Sequence, residues 1–365
     1  MGVIFVFIFH CTGFFSEYLR IRAPEGIGLA QLFLQMLIQW MMPLMFIISG
    51  ASIAFGYQPG QPGSYIVGKV KRLLVPFLFG TAILIPPQIY FERISQGRFA
   101  GTFFEFIPHY FEGIYGLTPD GNFAWSGRHL WYLLFLFIFT IILMPLFSKL
   151  KSLGGQRTLT KAVTWLQKPG LLYSLFLPIA ILVLPIDPVS AAGRFLHSFG
   201  GLPLFVYIIY FLYGYVIFSV DAMRKSIIRQ RYISLFLSVG LTRVLVFLLT
   251  SGYQFPSGIW KYALLVVLQS AYAWCILLTL FAFSMKYMDF HNRFLTYANE
   301  AVLPFYVLHP LVLIVGFFVL QMPLILVVQY ILILIMTFII TLALYEMIIR
   351  RINLTRFLLG MKLLN

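Results

Sequence analysis

Long apolar runs alternate with short polar segments along the whole chain. About ten runs are long and continuous, and they cover residues 2–15, 31–55, 73–91, 129–148, 171–186, 199–219, 232–250, 259–285, 299–320 and 323–348. A helix that crosses a bilayer needs about 20 mostly apolar residues, whereas a membrane barrel strand alternates apolar and polar positions. The pattern therefore predicts an all-α, polytopic membrane helix bundle of about ten transmembrane helices, which forms one domain over residues 1–365.

Two of the runs and two of the connecting segments carry further detail. Run 2–15 is short, and run 171–186 contains two prolines, so we expect the latter to be kinked or irregular. Segment 92–128 is long and aromatic, and we expect it to pack over the outer mouth of the bundle. Segment 149–170 has apolar residues at helical spacing beside lysines, which indicates a short interfacial helix, with an unstructured loop as the alternative.

The composition agrees with a membrane protein. Hydrophobic residues make up 61% of the chain and charged residues 10%, whereas soluble domains carry about 25% charged residues. These values exclude a soluble cytoplasmic enzyme, a disordered chain and a disulfide scaffold. Cys11 and Cys275 are too few for a disulfide framework or a Cys-rich metal site, and we interpret both as buried, inert thiols.

The net charge of +15 reports topology rather than a nucleic-acid partner. One set of alternate loops holds 18 of the lysines and arginines and the other set holds 7, while Arg243 lies inside an apolar run. Cytoplasmic loops of membrane proteins are enriched in Lys and Arg. The asymmetry therefore predicts that both termini are cytoplasmic, and we expect no nucleic acid to bind.

Ionisable groups at membrane depth are costly, which makes them candidates for function. His10, His309 and Arg243 lie within apolar runs, and His129 opens the fourth run beside Trp131. Each has a structural alternative: a histidine satisfied by a neighbouring helix, an arginine that anchors its helix, or an interfacial aromatic belt. No phosphate-binding loop, dinucleotide fingerprint, serine elbow or zinc motif is present, and we expect no metal.

Two acidic residues near the cytoplasmic ends of the last two runs have structural interpretations. We expect Glu300 to cap the first turn of the ninth helix, where a carboxylate favours the helix dipole. Glu346 is four residues before Arg350, a spacing that predicts an ion pair on one helix face.

Five stretches carry a resemblance to a known family. They are FIFHCTGFF at 7–15, PLMFIISGAS at 43–52, KVKRLLVPFLFGTAILIPPQIYFE at 69–92, HLWYLLFLF at 129–137 and FYVLHPLVL at 305–313. In this order they resemble membrane acyltransferases of the acyltransferase-3 type, in the branch near glucan biosynthesis protein C.

The resemblance implies a membrane-bound O-acyltransferase. Such an enzyme would move an acetyl or succinyl group from cytoplasmic acyl-CoA to a hydroxyl of a periplasmic or cell-surface glycan, with acyl-CoA as co-substrate and no permanently bound cofactor. It implies a multi-pass protein of the bacterial inner membrane, with acyl-CoA, a glycan acceptor and the lipid bilayer as partners.

The resemblance also implies roles for particular residues. His10 corresponds to the catalytic histidine, and imidazole suits a general base because it gains and loses a proton near neutral pH. The family's Arg-x-x-Arg motif appears as Lys69–Arg72, so Lys69, Lys71 and Arg72 are the candidates for holding the phosphates of CoA. The family's arginine eleven positions before the histidine would precede Met1, and we expect an in-frame upstream extension that carries it.

The remaining candidates are assigned to the acceptor or the acyl group. We expect His129 and Trp131 to shape the acceptor mouth, and His309 to line the cavity or orient a substrate. Arg243 or Arg128 would meet the carboxylate of a succinyl group. Two other classes stay open from the residues alone: a transporter or flippase that moves a glycan or lipid-linked intermediate without acyl transfer, and a structural assembly protein.

Overall fold

The computed structural model describes residues 2–22, 27–118, 120–188, 190–251, 259–288, 290 and 292–364 of the chain. These residues form helices and loops, with isolated β-bridges in the segment before α5. The long helices are α1 (Gly2–Arg22), α2 (Ile27–Gly56), α3 (Pro62–Ser95), α5 (Trp131–Lys151), α9 (Val206–Ser219), α11 (Arg231–Thr250), α12 (Ile259–Tyr287), α13 (Arg293–Val319) and α14 (Leu326–Ile349). The shorter ones are α4 (Phe103–His109), α6 (Leu153–Leu166), α7 (Phe176–Val183), α8 (Ala191–His197), α10 (Asp221–Arg229) and α15 (Asn353–Leu358).

The predicted class, an all-α polytopic bundle, is confirmed. Eight helices of the described residues are long and apolar enough to cross a membrane, or nine if α9 and α10, which meet at a 99° bend, form one span. The fifth apolar run is the exception: only Tyr173–Val183 is helical there. Pro185 follows shortly after its end and has no N–H to continue the helical hydrogen bonds, so the helix stays too short.

Helices α2 and α9 cross at close range. A Cβ atom on Gly50 would collide with the carbonyl oxygen of Phe211, and one on Gly214 would collide with that of Ile47. Small residues at a membrane helix crossing let the backbones approach and gain van der Waals contact. These two glycines therefore hold α2 and α9 together in the interior of the bundle.

The segment between α3 and α5 is ordered by polar anchors. Arg93, a buried residue near the end of α3, donates from Nε to Oδ1 of Asn122 at 2.7 Å and from Nη2 to the carbonyl of Gly121 at 2.7 Å. Tyr110 donates to the carbonyl of Thr81 at 2.8 Å. Because these bonds tie the segment to α3, it forms a fixed wall at one end of the bundle.

Two local expectations have clear outcomes in the fold. Segment 149–170 contains α6, whose Leu159, Val163 and Leu166 are buried, so the helical interpretation is confirmed. The prediction that Glu300 caps a helix is wrong: Asn292 caps α13 by accepting from the N–H of Leu295 at 2.7 Å. Glu300 lies further along α13 and accepts from Arg356 at 2.9 Å.

Two further expectations are confirmed. Glu346 and Arg350 form their ion pair at 3.2 Å. Cys11 and Cys275 are free, buried thiols. Neither feature lies in the cavities described below, so both belong to the scaffold.

Candidate active site

A cavity of about 1030 Å³ opens between α1, α3, the start of α5 and the end of α13. Its walls combine aromatic and aliphatic side chains with about as many polar ones. The polar and ionisable lining residues are His10, Glu17, Tyr18, Gln88, Glu92, Ser95, Gln96, Tyr115, Arg128, His129 and Gln321. A ligand site usually combines apolar walls with convergent polar groups, as this cavity does.

Three histidines from different helices meet beside this cavity. The ring centroids of His10 and His309 lie 4.8 Å apart, those of His129 and His309 5.1 Å apart, and those of His10 and His129 6.3 Å apart. His10 and His129 line the cavity, whereas His309 is completely buried behind them. The fold therefore brings together three candidates that are far apart along the chain.

A break in α13 places His309 in this cluster. Pro310 has no N–H, so it cannot donate to the carbonyl of Tyr306 four residues earlier, and the helix narrows to a 3₁₀ turn over His309–Leu311. Nδ1 of His309 lies 2.6 Å from that carbonyl oxygen and replaces the missing donor. The His-Pro pair thus breaks the helix and satisfies the freed carbonyl at the same point.

His129 is held from two sides. Its Nε2 lies 3.3 Å from the carbonyl oxygen of Val307, and the hydroxyl of Tyr306 donates to the backbone carbonyl of His129. Both contacts join the first turn before α5 to the broken region of α13. The orientation of His129 therefore depends on the same break that positions His309.

An ion pair lies at the mouth of the cavity. Glu92 accepts from Arg128 and, at 3.0 Å from its Oε1, from the hydroxyl of Tyr115. The guanidinium of Arg128 also lies over the Tyr115 ring, 4.8 Å from its centroid. Burial raises the pKa of the Tyr115 hydroxyl, which stays protonated and can donate. The three side chains form one connected group, the mouth cluster.

The backbone at the mouth is strained. Gly127 has φ +72° and Arg128 has φ +50°, a left-handed conformation that a residue with a side chain seldom adopts. Such strain persists where surrounding contacts hold it and is common at functional sites. Here the mouth cluster holds it, and His129 is the next residue in the chain.

A second, smaller cavity of about 410 Å³ lies at the opposite end of α3. Lys69 and Arg72 line it together with Tyr65 and with polar residues that include Gln58, Gln61 and Ser64. At 1.5 Å per residue, Arg72 and Gln88 on the same helix are separated by roughly 24 Å. The two cavities thus occupy opposite ends of the bundle, one rich in histidine and the other basic.

Other predicted site residues lie outside both cavities. Lys71 is exposed next to the basic cavity but does not line it. Trp131 is buried in the core, where its ring packs against Phe199 and Tyr207. Arg243 is exposed on α11, away from the cavity residues. The structure therefore does not bring Trp131 or Arg243 to the expected acceptor mouth.

Most residues at the cavity mouth were not predicted from the sequence. Gln88 and Glu92 are four residues apart and face the cavity from one side of α3. Both belong to the IPPQIYFE stretch, in which two polar residues at helical spacing interrupt an apolar run. That spacing was the available signal, whereas nothing local in the sequence marked Tyr115.

Among the described residues, no group of three or more His, Cys, Asp or Glu side chains is placed to hold a metal ion, and this includes the three clustered histidines.

Comparison with known proteins returns one match. A family model described as an acyltransferase domain, of the acyltransferase-3 type, covers residues 1–346. No curated protein and no solved structure matches the chain. The matched region contains all three clustered histidines, the mouth cluster and the basic cavity.

Proposed function

The chain belongs to the acyltransferase-3 family and is a multi-pass membrane acyltransferase, and from this we propose the following reaction. An acetyl or succinyl group moves from acyl-CoA to a hydroxyl of a glycan. We further propose that the basic end of the bundle faces the cytoplasm of a bacterial inner membrane and that the histidine-lined cavity opens to the periplasm.

The observation that carries the proposal is the position of His10. It lies on helix α1 and lines the large cavity, where an acceptor hydroxyl can approach it from the mouth. Acyl transfer to a hydroxyl needs a base, because a neutral alcohol attacks a thioester slowly. His10 takes the hydroxyl proton while the acceptor oxygen bonds to the acyl carbon. The carbon–sulfur bond then breaks, and the proton passes to the sulfur of CoA.

The donor binds at the opposite end. CoA carries phosphates that cannot enter lipid, so they need cations at the membrane surface. Lys69 and Arg72 line the basic cavity, and the exposed Lys71 adds positive charge beside it. Arg can hold a phosphate with two parallel hydrogen bonds, whereas Lys acts as a point charge. The acyl-pantetheine arm reaches from this cavity toward His10.

The acceptor binds in the large cavity. Its lining offers carboxylate and amide groups for sugar hydroxyls, including Glu17, Glu92 and Gln88. It also offers the aromatic faces of Tyr18 and Tyr115. This mixture of polar groups and flat apolar surfaces suits a carbohydrate, which presents hydroxyls around its edge and C–H groups on its faces.

A reconstituted assay tests the proposal. Purified protein is inserted into liposomes, labelled acetyl-CoA or succinyl-CoA is added on one side, and a β-glucan acceptor is enclosed on the other. We expect label on the glucan only in vesicles whose Lys69 end faces the donor, with orientation measured by protease protection. His10→Ala should lower the rate by about 100-fold or more, since general-base catalysis contributes typically 10²–10⁴-fold.

The possible failures are distinguishable. Absence of label on any glycan from either donor would exclude the proposed reaction. Label transfer with an unchanged rate in His10→Ala would preserve the reaction and remove His10 as its base. Transfer from the wrong vesicle face would reverse the proposed orientation.

A further inference from the structure

The histidine cluster contains a polar atom that the proposed reaction leaves unused. His309 is 0% exposed, and its Nε2 has no hydrogen-bond partner among the described residues. A buried polar atom without a partner is costly, and such atoms in a folded protein call for an explanation. The atom lies in a cluster with His10, the proposed base.

The protonation of His309 follows from its other nitrogen. Nδ1 lies 2.6 Å from the carbonyl oxygen of Tyr306, and a carbonyl oxygen only accepts hydrogen bonds. Nδ1 therefore carries the ring proton, and Nε2 of the neutral ring keeps a lone pair. Pro310 makes this arrangement possible, because its missing N–H leaves the Tyr306 carbonyl free for the imidazole.

Among the described residues, the aromatic ring nearest to the ring of His309 is that of the proposed base. The centroid of His10 lies 4.8 Å from that of His309, compared with 5.1 Å for His129 and 5.7 Å for Tyr306. The two rings form no hydrogen bond in the present side-chain positions, and at this separation a small rotation of the His10 ring brings one of its nitrogens to Nε2 of His309. A neutral His10 has one N–H to donate and one nitrogen that can take a proton.

We propose that a rotation of the His10 ring lets Nε2 of His309 accept a hydrogen bond from His10, and that this bond holds the base in its working tautomer. The other nitrogen of His10 then stays unprotonated and faces the cavity, where the acceptor hydroxyl arrives. His309 is a positioning residue that acts through His10 and does not touch the substrate. The inference rests on the proposed function, since it assigns a partner to the proposed base.

The arrangement resembles the orienting role of a carboxylate in a catalytic triad, with a neutral ring in its place. A carboxylate buried at this depth without a cation would carry a large desolvation cost. A neutral imidazole carries no charge and avoids that cost. When His10 takes the hydroxyl proton it gains a second N–H. The original N–H of His10 keeps its hydrogen bond to Nε2 of His309. The proton newly taken from the acceptor hydroxyl is the one that passes to the sulfur of CoA.

Two substitutions at one position separate this role from a purely structural one. In His309→Asn, the amide N–H can still donate to the Tyr306 carbonyl, but nothing replaces Nε2. In His309→Gln, the longer amide places an oxygen near the position of Nε2. We expect kcat to fall by about 10-fold or more in His309→Asn with little change in KM, and to be better retained in His309→Gln.

The opposite order would overturn the inference. If only the bond to Tyr306 matters, His309→Asn stays active and His309→Gln loses activity. Equal activity of both variants and the wild type would also overturn it.

A measurement on the unaltered protein needs no variant to fold. Histidine is labelled with ¹⁵N, and solid-state NMR in bilayers reports which ring nitrogens carry protons. We expect a protonated Nδ1 and an unprotonated Nε2 on His309, with a ¹⁵N–¹⁵N coupling across the hydrogen bond to His10. A protonated Nε2 on His309, or no coupling, would contradict the inference.

The two proposals fail separately. If the wild-type protein transfers no acyl group, the proposed function fails, while the NMR measurement still tests the His10–His309 bond. If the protein is active and the bond is absent, only this inference fails.

Discussion

The helix that carries His309 and the helix that carries Arg243 are both strongly apolar but differ in how far they are buried in the protein. Both α13 and α11 are strongly apolar, and each has an ionisable residue within its apolar run. In the most apolar stretch of α13, 56% of the residues are buried inside the protein, compared with 17% in α11. His309 is completely buried next to the large cavity, whereas Arg243 is exposed on the flank.

The difference shows what an ionisable residue at membrane depth does and does not indicate. On α13 the side chain points to other helices, and its polar atoms must be satisfied by protein. On α11 a long arginine side chain can extend along the helix toward the membrane surface and keep its charge in water. Membrane depth alone makes both residues candidates for function. Only the direction of each side chain decides which of them lies next to the cavity.

The largest contrast should come from two arginines changed in the same way. Arg128→Gln removes the nearer cation of the mouth cluster and leaves Glu92 with only Arg93, 3.8 Å away, as an ion-pair partner, so we expect acyl transfer to fall by about 10-fold or more. Arg243→Gln should leave the rate within about twofold of the wild type, since surface changes have small effects. The liposome assay compares both. Equal rates for the two variants would remove the mouth cluster from the reaction.

Alanine substitutions at two glycines, one in the interior of the bundle and one on its flank, should change the stability of the protein in opposite directions. Gly214→Ala places a methyl group against the backbone of α2, and we expect a loss of about 1–3 kcal/mol through overpacking. Gly240→Ala meets nothing within 4 Å on α11, and alanine favours a helix by about 1 kcal/mol over glycine. Thermal unfolding in detergent measures both. A melting temperature that is unchanged in Gly214→Ala would contradict the close crossing.

A smaller effect is expected on the KM for acyl-CoA at the basic cavity. It distinguishes cations that line the cavity from a cation that lies beside it. Lys69→Met and Arg72→Met should each raise the KM for acyl-CoA by about 3-fold to 10-fold, because a cation that meets a phosphate is lost. Lys71→Met should change it less, since Lys71 does not line the cavity. Initial rates at varied acyl-CoA and two salt concentrations test this. The same KM in all three variants would place the donor elsewhere.

The smallest expected difference is in the stability lost when either of two ion pairs is broken. Glu300→Gln leaves the buried Arg356 without its carboxylate, and we expect a cost of about 1 kcal/mol because Arg356 keeps two carbonyl acceptors. Glu346→Gln breaks a more exposed pair and should cost less than about 0.5 kcal/mol. Thermal unfolding at low salt compares them. A larger loss for Glu346→Gln would reverse the ranking by burial.

The sequence predicted the scaffold better than the site. The lengths of the apolar runs predicted the long helices, and the spacing of Leu159, Val163 and Leu166 predicted α6. The capping role of Glu300 was wrong because α13 already begins at Arg293, and the Glu300 carboxylate pairs instead with Arg356 on a separate helix. Tyr115 was missed because it reaches the cavity through the fold of segment 92–128 rather than through a helix.

By itself, the sequence determined that this protein is a bundle of apolar helices and that it resembles the acyltransferase-3 family. Both follow from local properties, namely the length of apolar runs and the order of short stretches. Only the tertiary structure decided which ionisable residues meet. In a membrane the outward face of a helix is as apolar as the inward face, so periodicity does not reveal which way a side chain points. His10, His129 and His309 therefore become one cluster, and Arg243 becomes a flank residue, only when the helices pack.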